Sequence, residues 1–519
     1  MKQNKLALAA WIAFYIFIAS LFTVNCFGYL DPDFGFHLQV GKDIIASGSV
    51  PHDQIYMWTL EGKTWVDHEW LSNVLTSGLW SLGGYLAVAA FFILLPLAGI
   101  ILLNKHVITH YLKSPNEQFV FALIELAAVF ACLPHFGVRL QEISFFLFII
   151  LFIIIDRFRK TKNVKSILWL IPLLYLWACL HGAFPLAVAV VLGWLCYELL
   201  IFIWSWLAKK ENEAPLSKKQ LLSVMAIGLI AVATTFVTPY GPELYNFLSE
   251  YASNSYYMSH IQEWRSPLKP PLRNDQIIFS IIVITFLIAT WHSLKRRLPL
   301  WKLLICAVLA LMSMRSVRHF PLWAIAALIF AAPLFISPLL KNRSFPYPRI
   351  ISSFCIVFLL LVSIFSFSKA QITNDPFGFF CKNYPCGAVQ FIKDHQEYSR
   401  LKIFNHYGWG GFIIGAWPEQ RLFIDGRLPQ YSFAGHSLLE EYNQFFKKDL
   451  SEKLLNQYGI QMVIFRSSAD MYKPDFFERY ILGRKEYQRS NTLIDYLNAN
   501  PKTWKQVYSD SLSAVWVRQ

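Results

Sequence analysis

The chain of 519 residues is 55% hydrophobic and 17% aromatic, with only 15% charged residues. A soluble protein of this length does not carry so apolar a composition, so the bilayer is read as its main solvent. The formal charge of +14 would suit nucleic acid, but the basic residues fall in short loops between apolar segments; the excess is topological and no nucleic-acid partner is expected.

The first segment, Leu6 to Phe27, carries no charge and as a helix covers about 30 Å, enough to span. No A-x-A cleavage site follows it, and its apolar core exceeds the roughly 7 to 15 residues of a signal peptide, so it reads as an uncleaved first helix. The loop 28–69 follows, opening on "DPDFGFHLQVGKD". Asp31, Asp33, Asp43, Asp53, Asp67 and Glu69 there outnumber Lys42 and Lys63. A carboxylate at the membrane surface can serve as a general base or hold a divalent cation. A structural alternative stands beside this: Asp-Pro signals a turn, and Asp33 suits the N-cap of a helix starting near Phe34. His37, within that helix, is a candidate substrate contact. "GKTWVDHEWL" then sets Asp67, His68 and Glu69 between two tryptophans. His68 and Glu69 are candidates for substrate binding, metal binding or proton relay, with a solvated helix cap as the plain alternative.

Further apolar blocks near 84–103, 117–133, 139–155, 166–181, 183–207, 220–238, 276–292, 300–314, 319–340 and 350–368 bring the count to about eleven crossings. Those near 166–181 and 300–314 are short against the roughly 20 residues of a normal span. The stretches "DRFRKTKNVK", "KKENEAPLSKK", "HSLKRR" and "KNRSFPYPR" fall in alternate loops, which places them and the N-terminus in the cytoplasm and the other loops outside.

The outer loops after the first hold three further candidates. Arg139, Gln141 and Glu142 begin a span from outside, whereas His181 in "WACLHGAFP" reads as a structural histidine at another outer helix end. "TPYGPELYNF" and "HIQEWRSP" combine aromatic faces with charged groups, a pattern suited to sugars, and they make Glu263 and Trp264 candidate substrate contacts; interfacial anchoring is the alternative. Arg315 and Arg318 stand three apart, hence on one helical face, at an outer helix end where arginine is disfavoured. Their forks suit a lipid phosphate, with ordinary snorkelling as the alternative.

Residues 1–370 thus form a membrane domain and 371–519 a soluble extracytoplasmic domain. In the latter, "GAVQFIKDH", "SLLEEYNQFFK" and "LSEKLLNQYG" read as helices, "LKIFNHY", "RLFIDGR" and "IQMVIFR" as strands, "GGFIIGAW" as a turn and short helix, and "WKQVYSD" with "SAVWVRQ" as a hairpin. The fold class is therefore an α-helical polytopic membrane protein with a small α/β domain. Cys381 and Cys386 flank "KNYP", where a disulfide is permitted in an oxidising compartment; the other cysteines lie in apolar segments.

An acidic loop after the first helix, many spans and an outer C-terminal domain resemble the C-type (GT-C) membrane glycosyltransferases, among them the oligosaccharyltransferase catalytic subunit, protein O-mannosyltransferases and aminoarabinose transferases. "DPDFGFHLQVGKDIIASGSVPHDQIYMW" is similar to their first outer loop, which implies Asp33, with Asp31 as rival, as the catalytic aspartate. "GVRLQEISFF" occupies the place of a second acidic motif: Glu142 fits its last position, while Leu140 stands where an acid is expected. Asp33 and Glu142 are accordingly the candidate ligands of a divalent cation, Mg or Mn. "IFNHYGWGGFIIGAWPEQRLFIDGR" is similar in layout to the region of the W-W-D-Y-G motif; Tyr407 and Gly408 match its closing pair, and Asn405 and His406 replace the tryptophan and aspartate. Read from the residues alone, Gly408, Gly410 and Gly411 make a strand-to-helix turn.

The resemblance implies transfer of a sugar from a polyprenyl-phosphate donor, its phosphate met by Arg315, Arg318 and Arg139, to a protein, lipid or glycan acceptor, in a bacterial inner membrane whose lipids are the remaining partners. A polyprenyl-lipid flippase or other transporter, and a non-catalytic membrane protein with an outer binding domain, are the rival readings.

Overall fold

The structure, a computed structural model, describes residues 2–208, 216–268, 300–340, 348–447, 449–469, 471–474, 476–480, 483–488 and 491–519. The span expected near 276–292 lies outside the described residues. The chain divides into two compact units, each assembled from separated stretches: Met1–Gly28, Ala89–Pro242 and Glu263–Gln371 in one, Tyr29–Val88, Glu243–Gln262 and Ile372–Gln519 in the other. The acidic first loop and most of the third loop therefore share a unit with the C-terminal residues, where the sequence reading drew a boundary near 370.

The first unit is helical. Among the described residues five helices are long and apolar enough to cross a membrane: Lys5–Gly28, Trp70–His110, Pro115–His135, Phe184–Leu207 and Val317–Ser337. Two shorter apolar helical stretches, Val164–Leu180 and Ser353–Lys369, accompany them. Eleven crossings are thus not all matched: Leu300–Arg315 has 16 residues and Lys218–Thr234 has 17. The helix Trp70–His110 starts well before the expected position 84 and is interrupted at Gly83 and Gly84, whose backbone is non-helical; Gly84 has φ 64°, a conformation a side chain resists. Lys2–Gly28 packs along Pro348–Lys369. Several buried charges here are paired, as a low-dielectric surrounding favours. Asp156 receives Lys302 at 2.7 Å and His106 at 2.8 Å, and Arg159 bonds Glu198 at 2.8 Å, so part of the basic excess in these loops is neutralised internally.

The second unit carries a four-stranded mixed sheet in the order β1 (Ile403–Asn405), β4 (Met462–Arg466), β8 (Ser513–Arg518), β7 (Trp504–Ser509). β1 runs parallel to β4, and β4, β8 and β7 are antiparallel neighbours, so the terminal hairpin forms as its alternation predicts. Two-stranded ribbons join β2 (Ser432–Phe433) to β3 (His436–Ser437) and β5 (Met471–Tyr472) to β6 (Tyr487–Gln488). Helices form at Cys386–Asp394, Gly410–Ala416, Leu438–Gln444 and Ser451–Gln457. Phe404 on β1 is fully buried, stacked on Phe445 at 4.3 Å and Tyr442 at 5.3 Å. Cys381 and Cys386 form a disulfide just before the helix Cys386–Asp394.

"RLFIDGR" does not form the expected strand. Only Leu422 makes a ladder contact, an isolated parallel bridge to Met57 in which Trp58 N–H donates to Leu422 at 3.0 Å and Leu422 N–H to Tyr56 at 2.8 Å. The next backbone groups are taken by a side chain: Phe423 and Ile424 N–H donate to Asn405 Oδ1 at 2.9 and 3.3 Å, and Asn405 Nδ2 donates to Ile424 C=O at 2.8 Å. One amide thus satisfies the backbone a sheet would otherwise pair.

The first-loop helix Phe34–Ser47 lies against the helix Gly410–Ala416. The crossing is built from glycine. A Cβ on Gly35 would stand 2.2 Å from the Gly411 carbonyl oxygen, one on Gly411 would stand 2.2 Å from the Pro32 carbonyl oxygen, and one on Gly415 would stand 2.6 Å from the Gly35 Cα. Phe34 beside it is buried between Trp80, Tyr85 and Phe377, a burial worth about 1.5–3 kcal/mol.

Gly35→Ala is therefore expected to destabilise by about 1–3 kcal/mol through overpacking, read as a lowered thermal unfolding midpoint of the full chain in detergent. Gly78→Ala, helical and with nothing within 4 Å of the added carbon, serves as control and should leave the midpoint unchanged or raise it.

Candidate active site

Asp33 occupies the N-cap position of the helix Phe34–Ser47, yet its side chain makes no capping hydrogen bond. The local bond is made by Asp31, whose Oδ1 accepts from Asp33 N–H at 2.9 Å, while the main chain closes the turn through Phe34 N–H to Asp31 C=O at 3.1 Å. Asp31 thus holds the turn that enters the helix, and Asp33 stands at the helix start without a capping bond. It leans on Gly426, where an added Cβ would stand 2.2 Å from Asp33 Oδ1. Tyr384 closes the same corner by donating to Leu30 C=O at 2.7 Å.

His37, one turn into the helix, is held from behind. Its Nδ1 meets Asn73 Oδ1 at 2.7 Å, and Asn73 Nδ2 donates to Asp67 Oδ2 at 2.8 Å. Because Asn73 presents its oxygen, Nδ1 carries the proton and Nε2 is the outward nitrogen. Glu69 Oε2 lies 4.0 Å from His37 Nε2 and 3.8 Å from His68 Nε2, distances that leave room for a bridging hydroxyl or water. Burial, helped by Arg427 and opposed only in part by Asn73, lowers the His37 pKa to about 3. Burial likewise raises Asp67 to about 6, against the hydrogen bonds from Asn73 and Glu69 N–H and the charge of Arg427. His37, His68 and Glu69 are thus brought together in one unit with Asp33 and Asp31.

Arg427 is the residue the sequence reading missed. It is 5% exposed, its Nε donates to Asp425 Oδ1 at 3.1 Å, and its guanidinium lies over Tyr56 at 4.5 Å and Trp65 at 4.6 Å. The signal available was an Asp-Gly-Arg set inside an apolar run, since charges so placed persist only when paired.

Glu263, Arg139, Arg318, Trp264 and Glu142 lie in the other unit. Ser316 donates to Glu263 C=O at 2.9 Å, Val317 N–H to Arg265 C=O at 3.1 Å, and Ser266 to Met314 C=O at 2.8 Å, which lays the stretch 263–266 along the turn 314–318. Glu263 consequently sits between two arginines, with Arg139 Nη2 at 2.9 Å and Arg318 Nη1 at 3.4 Å, and Arg318 stacks on Trp264 at 4.9 Å. Burial works to raise the Glu263 pKa, but Arg139 and Arg318 outweigh it and hold the group near 2. Arg315 and Arg318 do not share a helical face. The helix ends at Arg315, Ser316 is extended and accepts from Arg318 N–H at 3.3 Å, and Arg318 stands on a separate turn, Val317–His319. Arg315 is exposed.

His181 meets Ser144 at 2.8 Å and accepts from Ala183 N–H at 3.2 Å, a structural role. Glu142 is fully buried, its Oε1 accepting from Gly137 N–H at 2.6 Å, so that oxygen is used to close the turn before its helix. Among the described residues no group of three or more His, Cys, Asp or Glu is arranged to hold a metal ion. Asp33 and Glu142, the expected cation ligands, belong to different units. Asn405, in the W-W-D-Y-G-like stretch, staples the backbone, and Tyr407–Trp409 turns the chain from β1 into the helix Gly410–Ala416, as the glycine pattern predicts.

No protein-family model and no curated protein sequence matches the chain. Its fold, however, is similar to that of an archaeal oligosaccharyltransferase. The crystal structure of the Archaeoglobus fulgidus oligosaccharyltransferase tethered with an acceptor peptide containing the NVT sequon superposes with a TM-score of 0.53 at 11% identity, covering 87% of this chain and 68% of that one. An archaeal oligosaccharyltransferase, AglB from Archaeoglobus fulgidus, in complex with an inhibitory peptide and a dolichol-phosphate gives a TM-score of 0.48 at 10% identity over 87% and 68%. The Archaeoglobus fulgidus oligosaccharyltransferase in complex with Zn and sulfate gives 0.45 at 10% over 87% and 67%. With its apolar helices, the chain is an integral membrane protein.

The depressed His37 pKa has a consequence for stability. The unfolded chain takes up the His37 proton near 6.5 and the folded chain only near 3, so between those values the unfolded state binds more protons and stability rises with pH. From pH 6.5 down to 5, wild type should lose about 2 kcal/mol more than His37→Gln; chemical denaturation of the two proteins at both pH values checks this, and Asp67, present in both, cancels.

Proposed function

We propose that the protein is a membrane glycosyltransferase that moves a sugar from a polyprenyl-phosphate-linked donor to an acceptor at the outer face of the membrane, with its N-terminus in the cytoplasm. One observation carries this reading: the Asp33 carboxylate, at the start of the helix Phe34–Ser47, stands against the backbone of Gly426 in the same unit as His37, His68 and Glu69. The oligosaccharyltransferase fold supports it.

In the proposed reaction Asp33 takes the proton of the acceptor nucleophile, or orients that group, as its lone pair attacks the anomeric carbon. The bond from that carbon to the phosphate oxygen breaks, and the lipid phosphate leaves with the electron pair, needing no proton near neutral pH. Asp31 supports the turn that presents Asp33. Arg139 and Arg318 hold the donor phosphate: two guanidinium charges against the one carboxylate of Glu263 leave that group with a net charge of +1, suited to a phosphate. Arg315 adds an exposed cation at the end of the preceding helix. Glu263 keeps the two arginines in place, Trp264 stacks on Arg318, and His37, His68 and Glu69 contact the transferred sugar or the acceptor.

The test is transfer by full-length protein reconstituted in vesicles with a series of labelled polyprenyl-phosphate sugars. Asp33→Asn should cut the rate by about 100- to 10,000-fold, whereas Asp31→Asn, whose side-chain oxygen can still accept from Asp33 N–H, should stay close to wild type. Transfer at the wild-type rate by Asp33→Asn would defeat the proposal, as would a wild-type protein that moves the labelled lipid across the bilayer but transfers no sugar.

A further inference from the structure

The loop Asp425–Gln430, "DGRLPQ", holds polar groups that the fold leaves without partners. Gly426 meets Asp33 at one end. Arg427 gives Nε and Nη2 to the fully buried Asp425, but its Nη1, itself buried, has no hydrogen-bond partner among the described residues. Gln430 is 3% exposed, and both its amide atoms are buried without a partner among the described residues. Its main-chain carbonyl accepts from Asn254 Nδ2 at 3.1 Å. At the far end Tyr431 contacts Phe247, which in turn packs on His68 at 5.2 Å. The loop thus runs from the Asp33 carboxylate to the surroundings of His68 and Glu69.

A buried polar group left unsatisfied costs about 1–3 kcal/mol, and native proteins keep few of them. Three such atoms on six consecutive residues beside the candidate carboxylate mark a place where a ligand completes the hydrogen bonding. Its chemistry follows from what is missing. Arg427 is already neutralised by Asp425, and Asp33, Asp67 and Glu69 add negative charge to the same unit, which disfavours a phosphate there. The Gln430 amide calls for a group that both donates and accepts, and Arg427 Nη1 calls for an oxygen. A hydroxyl meets both needs, and a sugar ring presents several. We infer that the Asp425–Gln430 loop reads the ring hydroxyls of the transferred sugar, with Gln430 and Arg427 as specificity-determining residues; the inference rests on the glycosyl-transfer reading above.

The test measures binding of undecaprenyl phosphate, and of undecaprenyl phosphate carrying mannose, glucose, galactose or N-acetylglucosamine, to the full chain in detergent by native mass spectrometry. Wild type should bind one or more of the glycosylated lipids about tenfold more tightly than the bare lipid, a step of about 1.4 kcal/mol. Gln430→Leu, of similar size, should lose that preference, keep its affinity for the bare lipid, and unfold at the same temperature as wild type or higher, because the amide it removes has no partner among the described residues. The inference is overturned if Gln430→Leu keeps the preference, if it lowers the unfolding temperature by several degrees as a structural amide would, or if wild type binds the bare lipid as well as every glycosylated one. If wild type binds none of these lipids, the glycosyl-transfer reading itself fails, and this one with it.

Discussion

Two segments of chain can meet backbone to backbone only where neither carries a side chain at the crossing. The helix Phe34–Ser47 and the helix Gly410–Ala416 meet in that way through Gly35, Gly411 and Gly415. Gly426 then lets the Asp33 carboxylate lie flat on the loop that carries Asp425 and Arg427. The rest of the second unit follows from this contact. Asn405 holds Phe423 and Ile424 in place of a sheet partner, Met57 bridges to Leu422, and the aromatic packing around Phe404 fixes the strand from which the glycine helix starts. An acidic loop that could have been a mobile connection is thereby a part of the folded core.

Charge is managed differently in the two units. Around Glu263 two arginines share one carboxylate, so the group keeps a net positive charge and the carboxylate stays ionised across the physiological range. Around Arg427 one arginine is matched by Asp425, and Asp33, Asp67 and Glu69 leave the surroundings acidic. A cationic group suits a phosphate, and an acidic, partly unsatisfied one suits hydroxyls.

Much of this was legible in the sequence. The long apolar helices, the hairpin of β7 and β8, the helix starting at Phe34 and the turn at Gly408 to Gly411 follow from periodicity and turn chemistry. The roles of Asp31 and Asp33 did not, since Asp33 fits a cap as well as a catalytic acid and only the folded chain shows that its side chain makes no capping bond. "RLFIDGR" has the apolar run of a strand, and what prevents one is the side chain of Asn405, which no local pattern reveals. Arg315 and Arg318 have helical spacing, but Ser316 turns the chain between them through bonds to Glu263 and Arg318, a tertiary effect. The close glycine approach was hidden for the same reason: a glycine announces a turn to its neighbours and a contact only to its distant partner.

The most direct measurement is a double-mutant cycle of Gly426→Ala and Asp33→Asn, read as sugar transfer by full-length protein in vesicles with unfolding temperatures alongside. The account predicts that Gly426→Ala, by displacing the carboxylate, lowers transfer about as far as Asp33→Asn does while the protein stays folded, and that the double variant is no worse than either. Full transfer by Gly426→Ala, or losses that multiply in the double variant, would contradict it.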